Sequence, residues 1–368
     1  MFTQSNDVIF IGIDDGNAQF KISSRRHNAV FPTHIERSSG RFVDADMNLN
    51  VTDNDKSIVM YTSSKTGTVY EVGDVNQPIP RNKTFAYEEP SQILFQHALS
   101  LFKDEACLTK NRYVVCSGMP LRQFFKQDGS INQDNVKHKM QNMALSFDVL
   151  GSNKDLKSRK NNSIQLLVQP EALAALRTYL FKHNEIGQIV PNEKYVNKVI
   201  AVIDPGGKTT DIAVFVNGKI DMERSITADI GHNNLVNKAT SYIYDLGFPS
   251  PTDQQARRLI DTGTVTIRGV DEDHSHWVKQ ARTALANDIF GKVTDTLSDA
   301  LDIDLMLFIG GTVKALENEF EPLISAYYGS SENGSGVTYH IPENADRLNA
   351  KGLELFAELW YQKAQSSN

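Results

Sequence analysis

Cysteine is almost missing from this 368-residue chain, which has only Cys107 and Cys116. They form no C-x-x-C pair and stand in no Cys/His spacing of the kind a zinc site needs, which argues against a disulfide framework and a structural zinc centre. Two such thiols fit a reducing compartment, as buried packing residues. A basic surplus is lacking too. Lys and Arg total 38 against 45 Asp and Glu, a net charge of −7. Binding to naked DNA draws on neutralising phosphates, so extensive direct DNA contact is not expected. The one local basic cluster, Lys154, Lys157, Arg159 and Lys160, stands in a polar stretch and reads as a solvated loop. No apolar run is long enough to span a bilayer. Residues 1–7 carry no basic segment leading into an apolar core, so no secretory signal is expected. The expected location is the cytoplasm, away from membranes.

What is present is ordinary globular material, 40% hydrophobic and 23% charged. The length calls for two or more domains. Residues 8–13 form an apolar, β-branched run that predicts a buried strand, closed by Asp14-Asp15-Gly16-Asn17. A returning strand is expected over 20–23, then a small irregular subdomain over about 24–90. Helical spacing predicts helices over 92–102 and 132–143, with strands over 113–116 and 164–168. Pro170 precedes a helix over 171–181. Strands over 199–203, 210–216 and 219–225 follow, the last two joined by Asn217-Gly218, a type I′ hairpin signal. A long helix is expected around Trp277, a buried strand over 305–309 ending in Gly310-Gly311, and an amphipathic helix around Leu353 to Trp360. This mixture is α/β.

The two strand-rich halves echo one another. Ile13-Asp14-Asp15-Gly16-Asn17 matches Ile203-Asp204-Pro205-Gly206-Gly207. Each places an aspartate at a strand end and a glycine turn beyond it, which suggests a duplicated unit. Either turn alone is common. Together, facing each other, they would make two backbone anion nests able to grip a polyphosphate from both sides. The aspartates would hold Mg²⁺ through waters, and Lys21 would meet phosphate as a point charge. Gly207-Lys208-Thr209 imitates the tail of a P-loop, but Val202 stands where the first glycine belongs, and a strand follows instead of a helix. Glu171 in a first helical turn is by itself a helix stabiliser, and a strand-ending glycine pair is by itself a turn.

As a set these segments resemble the actin, sugar-kinase and heat-shock-chaperone ATPase superfamily. Residues 13–21 resemble its first phosphate segment, 168–172 its first connecting segment, 204–212 its second phosphate segment and 308–312 its adenosine segment. A helix at about 281–301 is expected to hold the second connecting segment. The paired Asp14-Asp15-Gly16, Ser117-Gly118-Met119-Pro120-Leu121 and Gln169-Pro170-Glu171 are most similar to the ParM/StbA plasmid-segregation proteins. The resemblance implies an actin-like (ribonuclease H-like) duplicated two-domain α/β fold with a nucleotide cleft between the lobes. Domain I would take 1–185 plus 345–368, and domain II 186–344. It implies ATP, with GTP as the alternative, and Mg²⁺. Asp14 and Asp204 would organise the metal, with Asp211 further out. Asp15, Gly16, Asn17, Gln19 and Lys21 would line one side of the phosphates, and Gly206, Gly207, Lys208 and Thr209 the other. Glu171 would orient the attacking water, with Gln169 as the runner-up. Gly310, Gly311 and Thr312 would border adenosine. Departures stand at Lys208, Thr312 and Asn17, where the family usually has Thr or Gly, a third Gly, and Ser or Thr.

The activity so implied is an ATPase whose subunits join head to tail into filaments. A DNA-bound adaptor of the ParR type would capture the filament ends, with no direct DNA or membrane contact by this chain. A small-molecule, sugar-type kinase on the same fold is the alternative, though no acceptor-side aspartate stands out. A chaperone-type module is a third reading, for which no stretch of chain is left over to make a substrate domain.

Overall fold

The computed structural model describes residues 8–25, 27–38, 58–63, 65–73, 75, 77–82, 84–101, 112–150, 164–298, 301–329 and 337–366. Cys107, the basic cluster at 154–160 and residues 1–7 lie outside them.

The first half supplies β1 (Val8–Asp15), β2 (Gln19–Ser23), β3 (Asn28–Pro32), β4 (Ile35–Arg37), β5 (Ile58–Thr62) and β6 (Val69–Gly73). Then come α1 (Glu89–Ser100), β7 (Arg112–Met119), α2 (Leu121–Phe124), α3 (Gln133–Leu150), β8 (Ile164–Pro170) and α4 (Glu171–Leu180). The second half supplies a small hairpin, β9 (Phe181–His183) and β10 (Ile189–Pro191), then β11 (Val199–Pro205), β12 (Thr210–Val216) and β13 (Lys219–Ala228). It continues through α5 (His232–Asp245), α6 (Asp253–Thr262), β14 (Thr264–Ile267), β15 (Val270–Asp273) and α7 (Ser275–Leu297). It closes with β16 (Leu305–Phe308), α8 (Gly311–Ala315), α9 (Glu317–Tyr328), β17 (Thr338–His340) and α10 (Leu348–Ser366).

Two five-stranded sheets are built alike. Their orders are β3-β2-β1-β7-β8 and β13-β12-β11-β16-β17, each an antiparallel meander extended by two parallel strands. The register repeats as well: Asp14 lies opposite Lys21, and Asp204 lies opposite Asp211. The echo between the halves is therefore a repeat of topology and of hairpin length. Asn217 and Gly218 both have positive φ, 52° and 74°, as the hairpin signal required. The expected irregular subdomain contributes β3 to the first sheet and a separate three-stranded sheet, β4-β6-β5.

Strand side chains alternate between faces, and each sheet is covered on both. In the first, Tyr113 and Val115 join Phe20, Leu94 and Phe95 in one core, while Val114 and Cys116 meet Ala174, Leu353 and Ala357 on the other side. In the second, Ala201 and Ile203 pack on α5, α6, α7 and α9, while Ile200 and Val202 pack on Ala172, Ala175 and Leu176 of α4. Two helices, α4 and α10, thus lie between the sheets. Glycines let α10 come close to both α4 and β1: a Cβ on Gly352 would fall 1.7 Å from the Ala174 carbonyl oxygen, and one on Gly12 of β1 would fall 1.9 Å from that of Ala350.

One expectation is corrected. The long helix expected at about 281–301 runs over Ser275–Leu297 and is buried behind the second sheet, through Leu285, Ile289 and Val293. It does not connect the halves. That position belongs to α10, whose Asn349 reaches Asp204 while Leu353 and Ala357 pack on the first sheet. The apolar residues at every fourth position over 277–297 report burial and say nothing about which sheet does the burying.

Candidate functional site

A cleft of about 880 Å³ opens where the two Asp-led hairpins meet. They touch at their tips: a Cβ on Gly207 would stand 3.2 Å from Asn17 Cβ and 3.4 Å from the Ala18 amide nitrogen. Asp14, Asp15, Gly16, Asn17, Gln19 and Lys21 line one wall, and Asp204, Gly206, Gly207, Thr209 and Asp211 another. Glu171 stands between them, and Gly310, Gly311 and Thr312 also border the cleft.

Each carboxylate has a distinct setting. Asp14 is 5% exposed, with Lys21 Nζ 3.7 Å from its Oδ2, the cross-strand pair that the register sets up. Burial raises its pKa against the pull of Lys21. Asp204, 9% exposed, accepts a 2.7 Å hydrogen bond from Asn349 Nδ2. Burial above all, with Asp14 and Asp211 nearby, pushes it up to about 7. Asp211 accepts from the Thr227 hydroxyl, and burial raises its pKa too. Glu171 opens α4 after Pro170 and is raised well above the usual carboxylate range by burial, then by Asp14 and Asp15. It fits because position 118 is glycine, where a Cβ would come within 2.8 Å of Glu171 Cγ.

Crowded carboxylates held above their ordinary pKa values are what a bound cation relieves. Asn349 Oδ1 is buried with no hydrogen-bond partner beside Asp204, and Gly310, at φ 94°, leaves Asp204 Oδ1 uncovered where a Cβ would lie 2.5 Å from it. Among the described residues no group of three or more His, Cys, Asp or Glu forms a ready-made metal cage. An all-oxygen, partly hydrated Mg²⁺ carried in with a phosphate ligand fits this donor set.

Two expected residues stand elsewhere. Gln169 is outside the cleft, its Oε1 taken by Arg177 at 2.6 Å and its Nε2 by the Val168 carbonyl at 2.9 Å. Neighbouring strand residues point to opposite faces, and Gln169 takes the wrong one. Lys208 sits exposed on its turn and does not line the cleft. Thr312 is at the cleft edge, but its hydroxyl is spent on the Gly206 carbonyl at 2.9 Å. Asp15 lines the cleft as expected, yet its carboxylate accepts from Lys139 Nζ at 2.6 and 2.9 Å and from Ser117 Oγ at 2.9 Å.

Sequence reasoning missed Lys139, Arg81, Asn349 and the cleft face of α6. Lys139 is 2% exposed, and it also donates to the Gly118 carbonyl. A lone lysine on a polar helix gives no signal of its own. The face of α6 contributes Asp253, Arg257, Asp261 and Thr262, beside His232, whose pKa burial lowers to about 4. Its Thr252-x-x-Gln255 capping box was readable and marks the helix start, with Thr252 Oγ1 accepting from the Gln255 amide at 3.2 Å. Nothing in it marks a ligand wall.

Comparison with known proteins fits this geometry. Residues 202–322 match the family model described as archaeal actin homologue MreB-like, C-terminal. A search of curated proteins by sequence found no match. Among solved structures, a 15-stranded ParM filament from Clostridium botulinum superposes with a TM-score of 0.65 at 20% identity, covering 96% of this chain and 99% of the other. The actin-like protein Alp7A gives 0.67 at 16% identity, with 98% of each chain covered. An archaeal actin homologue, Ta0583, in complex with ADP, gives 0.61 at 17% identity, covering 96% and 99%. The resemblance expected from the motifs is borne out at the level of fold.

Proposed function

We propose that this chain, actin-like in its fold, is a nucleotide-driven filament protein that hydrolyses ATP and belongs to a plasmid-segregation apparatus. One observation carries the reading: both Asp-led hairpins and Glu171 converge on a single cleft between two sheets of the same topology. The ParM filament and Alp7A likenesses, near full length on both sides, favour assembly over a sugar-type kinase.

The chain's own groups define the chemistry. The turns at Gly16–Asn17 and Gly206–Gly207 offer backbone amides to phosphate oxygens, and Lys21 adds a point charge. Asp14 and Asp204 would hold Mg²⁺ through waters, with Asp211 further out. When bound, that ion supplies charge neutralisation for the triphosphate. Glu171 orients a water toward the terminal phosphate and accepts its proton. Catalysis rests on positioning and charge, with no covalent intermediate. Asn349 of α10 ties the helix packed on the first sheet to Asp204 of the second, so ligand contact and lobe closure are coupled. Closed subunits then join by a head-to-tail contact, which generates an open filament. Filament ends are captured by a ParR-type adaptor that carries the DNA contact, in the cytoplasm.

The test is light scattering and pelleting of the purified full chain after addition of Mg–ATP or Mg–GTP, with phosphate release followed in parallel. A nucleotide-dependent pellet supports the reading. ADP release that depends on added sugar, with no pellet, overturns it in favour of the kinase.

A further inference from the structure

The carbonyls of the first phosphate hairpin are engaged by residues outside the hairpin, and one of them, Arg81, also borders the cleft. Thr33 covers two: its Oγ1 donates to the Asn17 carbonyl at 2.7 Å and its amide to the Ala18 carbonyl at 3.1 Å. Arg81 covers the other two, Nη1 donating to the Gly16 carbonyl at 2.5 Å and Nη2 to the Asp15 carbonyl at 3.0 Å. The second hairpin is backed in the same way, but by neutral groups. Its Gly206 carbonyl accepts from Thr312 Oγ1 and the His232 amide, and its Gly207 carbonyl accepts from the Asn233 amide. Among the described residues, a cation holds the carbonyls of the first hairpin and none holds those of the second.

Arg81 is built into this place. Its guanidinium lies over the Phe85 ring, 4.5 Å from the centroid, and Phe85 is itself buried. Its Nε is buried without a partner, so the two carbonyls are the polar contacts that fix it. The segment that carries it is anchored at both ends. The Gln77 amide donates to Glu36 and the Ile79 amide to the Ile35 carbonyl, while Asn142 donates to the carbonyls of Ala86 and Glu88.

The peptide units whose oxygens Arg81 holds are those whose N–H groups belong to Gly16 and Asn17. A cation at the oxygen end of a peptide polarises the unit and strengthens its N–H as a donor, since chained hydrogen bonds reinforce one another in a buried setting. Arginine suits this because its planar fork reaches two successive carbonyls, which an ammonium cannot do with fixed geometry. We infer that Arg81 is a positioning residue for polyphosphate: through the Asp15 and Gly16 carbonyls it fixes the Asp15–Asn17 turn and charges its amides for the terminal phosphates. The inference rests on the nucleotide reading of the cleft.

The experiment compares the full chain with Arg81→Ala, Arg81→Lys and Thr33→Val, measuring Kd for Mg–ATP, Mg–ADP and adenosine. Thermal melts verify folding, and Thr33→Val and Arg81→Lys stand in should Arg81→Ala not fold. Loss of charge-assisted hydrogen bonds predicts Mg–ATP binding weakened roughly 10- to 100-fold in Arg81→Ala. The loss should be smaller for Mg–ADP and absent for adenosine. Thr33→Val should show the same ordering with a smaller loss, and Arg81→Lys should fall between Arg81→Ala and the parent. Added guanidinium at millimolar concentration should restore part of the Mg–ATP affinity of Arg81→Ala and none of that of Thr33→Val. A loss equal for all three ligands, or unchanged Mg–ATP affinity in the folded variants, overturns the inference and leaves the nucleotide site standing. A parent chain that binds no nucleotide overturns both.

Discussion

Asp204 and Glu171 show how far a buried carboxylate's neighbours decide its role. Asp204 has its folded pKa raised from 3.8 to about 7, chiefly by burial. The folded protein therefore keeps a proton that the unfolded chain loses near pH 4. This contribution to stability is whole below that pH and is lost as pH rises to about 7. In EDTA and without nucleotide, Asp204→Asn should melt progressively higher than the parent between pH 5 and pH 8, with the gap closing toward pH 4. Melts across that range check it, and a pH-independent gap would contradict the burial of an uncompensated charge. Glu171→Gln keeps size and packing against Gly118 but removes the proton acceptor. Phosphate release should fall by roughly 100-fold or more, with Mg–ATP affinity kept within a few-fold and any assembled polymer longer lived. Normal turnover in that variant would remove Glu171 from the chemistry. Glu171 was legible only through the run Gln169-Pro170-Glu171, because the strand ends at Pro170 and Glu171 opens a helix, so which of the two side chains meets the cleft is settled only in the folded structure. Lys139 and Arg81 were not legible: each acts on a hairpin far off in sequence, through contacts that no local pattern encodes.

Helices α4 and α10 are the elements that join the halves, and Gly352 sets how closely they pack. Gly352→Ala would raise local helix propensity by about 1 kcal/mol, yet its methyl group would collide with the Ala174 carbonyl. The clash is with backbone, so the helices must separate. A net loss of roughly 1–3 kcal/mol is expected, read as a lower thermal midpoint together with weaker Mg–ATP binding, since Asn349 moves with the helix. A stabilised variant would contradict the close packing. The strands of both hairpins were legible from β-branched runs ending in Asp-Gly or Asp-Pro-Gly, and the helix after Pro170 from its Ala and Leu content. The connecting role of α10 was not, because its apolar spacing resembles that of α7. Pattern gives the buried face of a helix, whereas the sheet it meets depends on topology.

Across the whole molecule, the same strand order and the same aspartate register occur twice, with unlike partners. Lys21 faces Asp14 in one hairpin, and Asp211 faces Asp204 in the other. The repeat faces two aspartate-led hairpins onto one cleft, and the asymmetry puts a lysine beside the first aspartate and a second carboxylate beside the other. Charge on the described and undescribed chain together is −7. At about 100 mM salt the purified protein should therefore leave naked duplex DNA unshifted in a gel. A tight, salt-sensitive shift would remove the need for an adaptor.

The placement of Asn349 also bears on biosynthesis. Both hairpins leave the ribosome well before α10, yet the hydrogen bond to Asp204 and the helix packed between the sheets come only with it. A nascent chain stalled before residue 345 would own both halves of the grip and lack the brace that holds them at working distance. On the proposed function, nucleotide capture would wait until synthesis has passed that helix, and unfinished chains would not compete for ATP or for a polymer end.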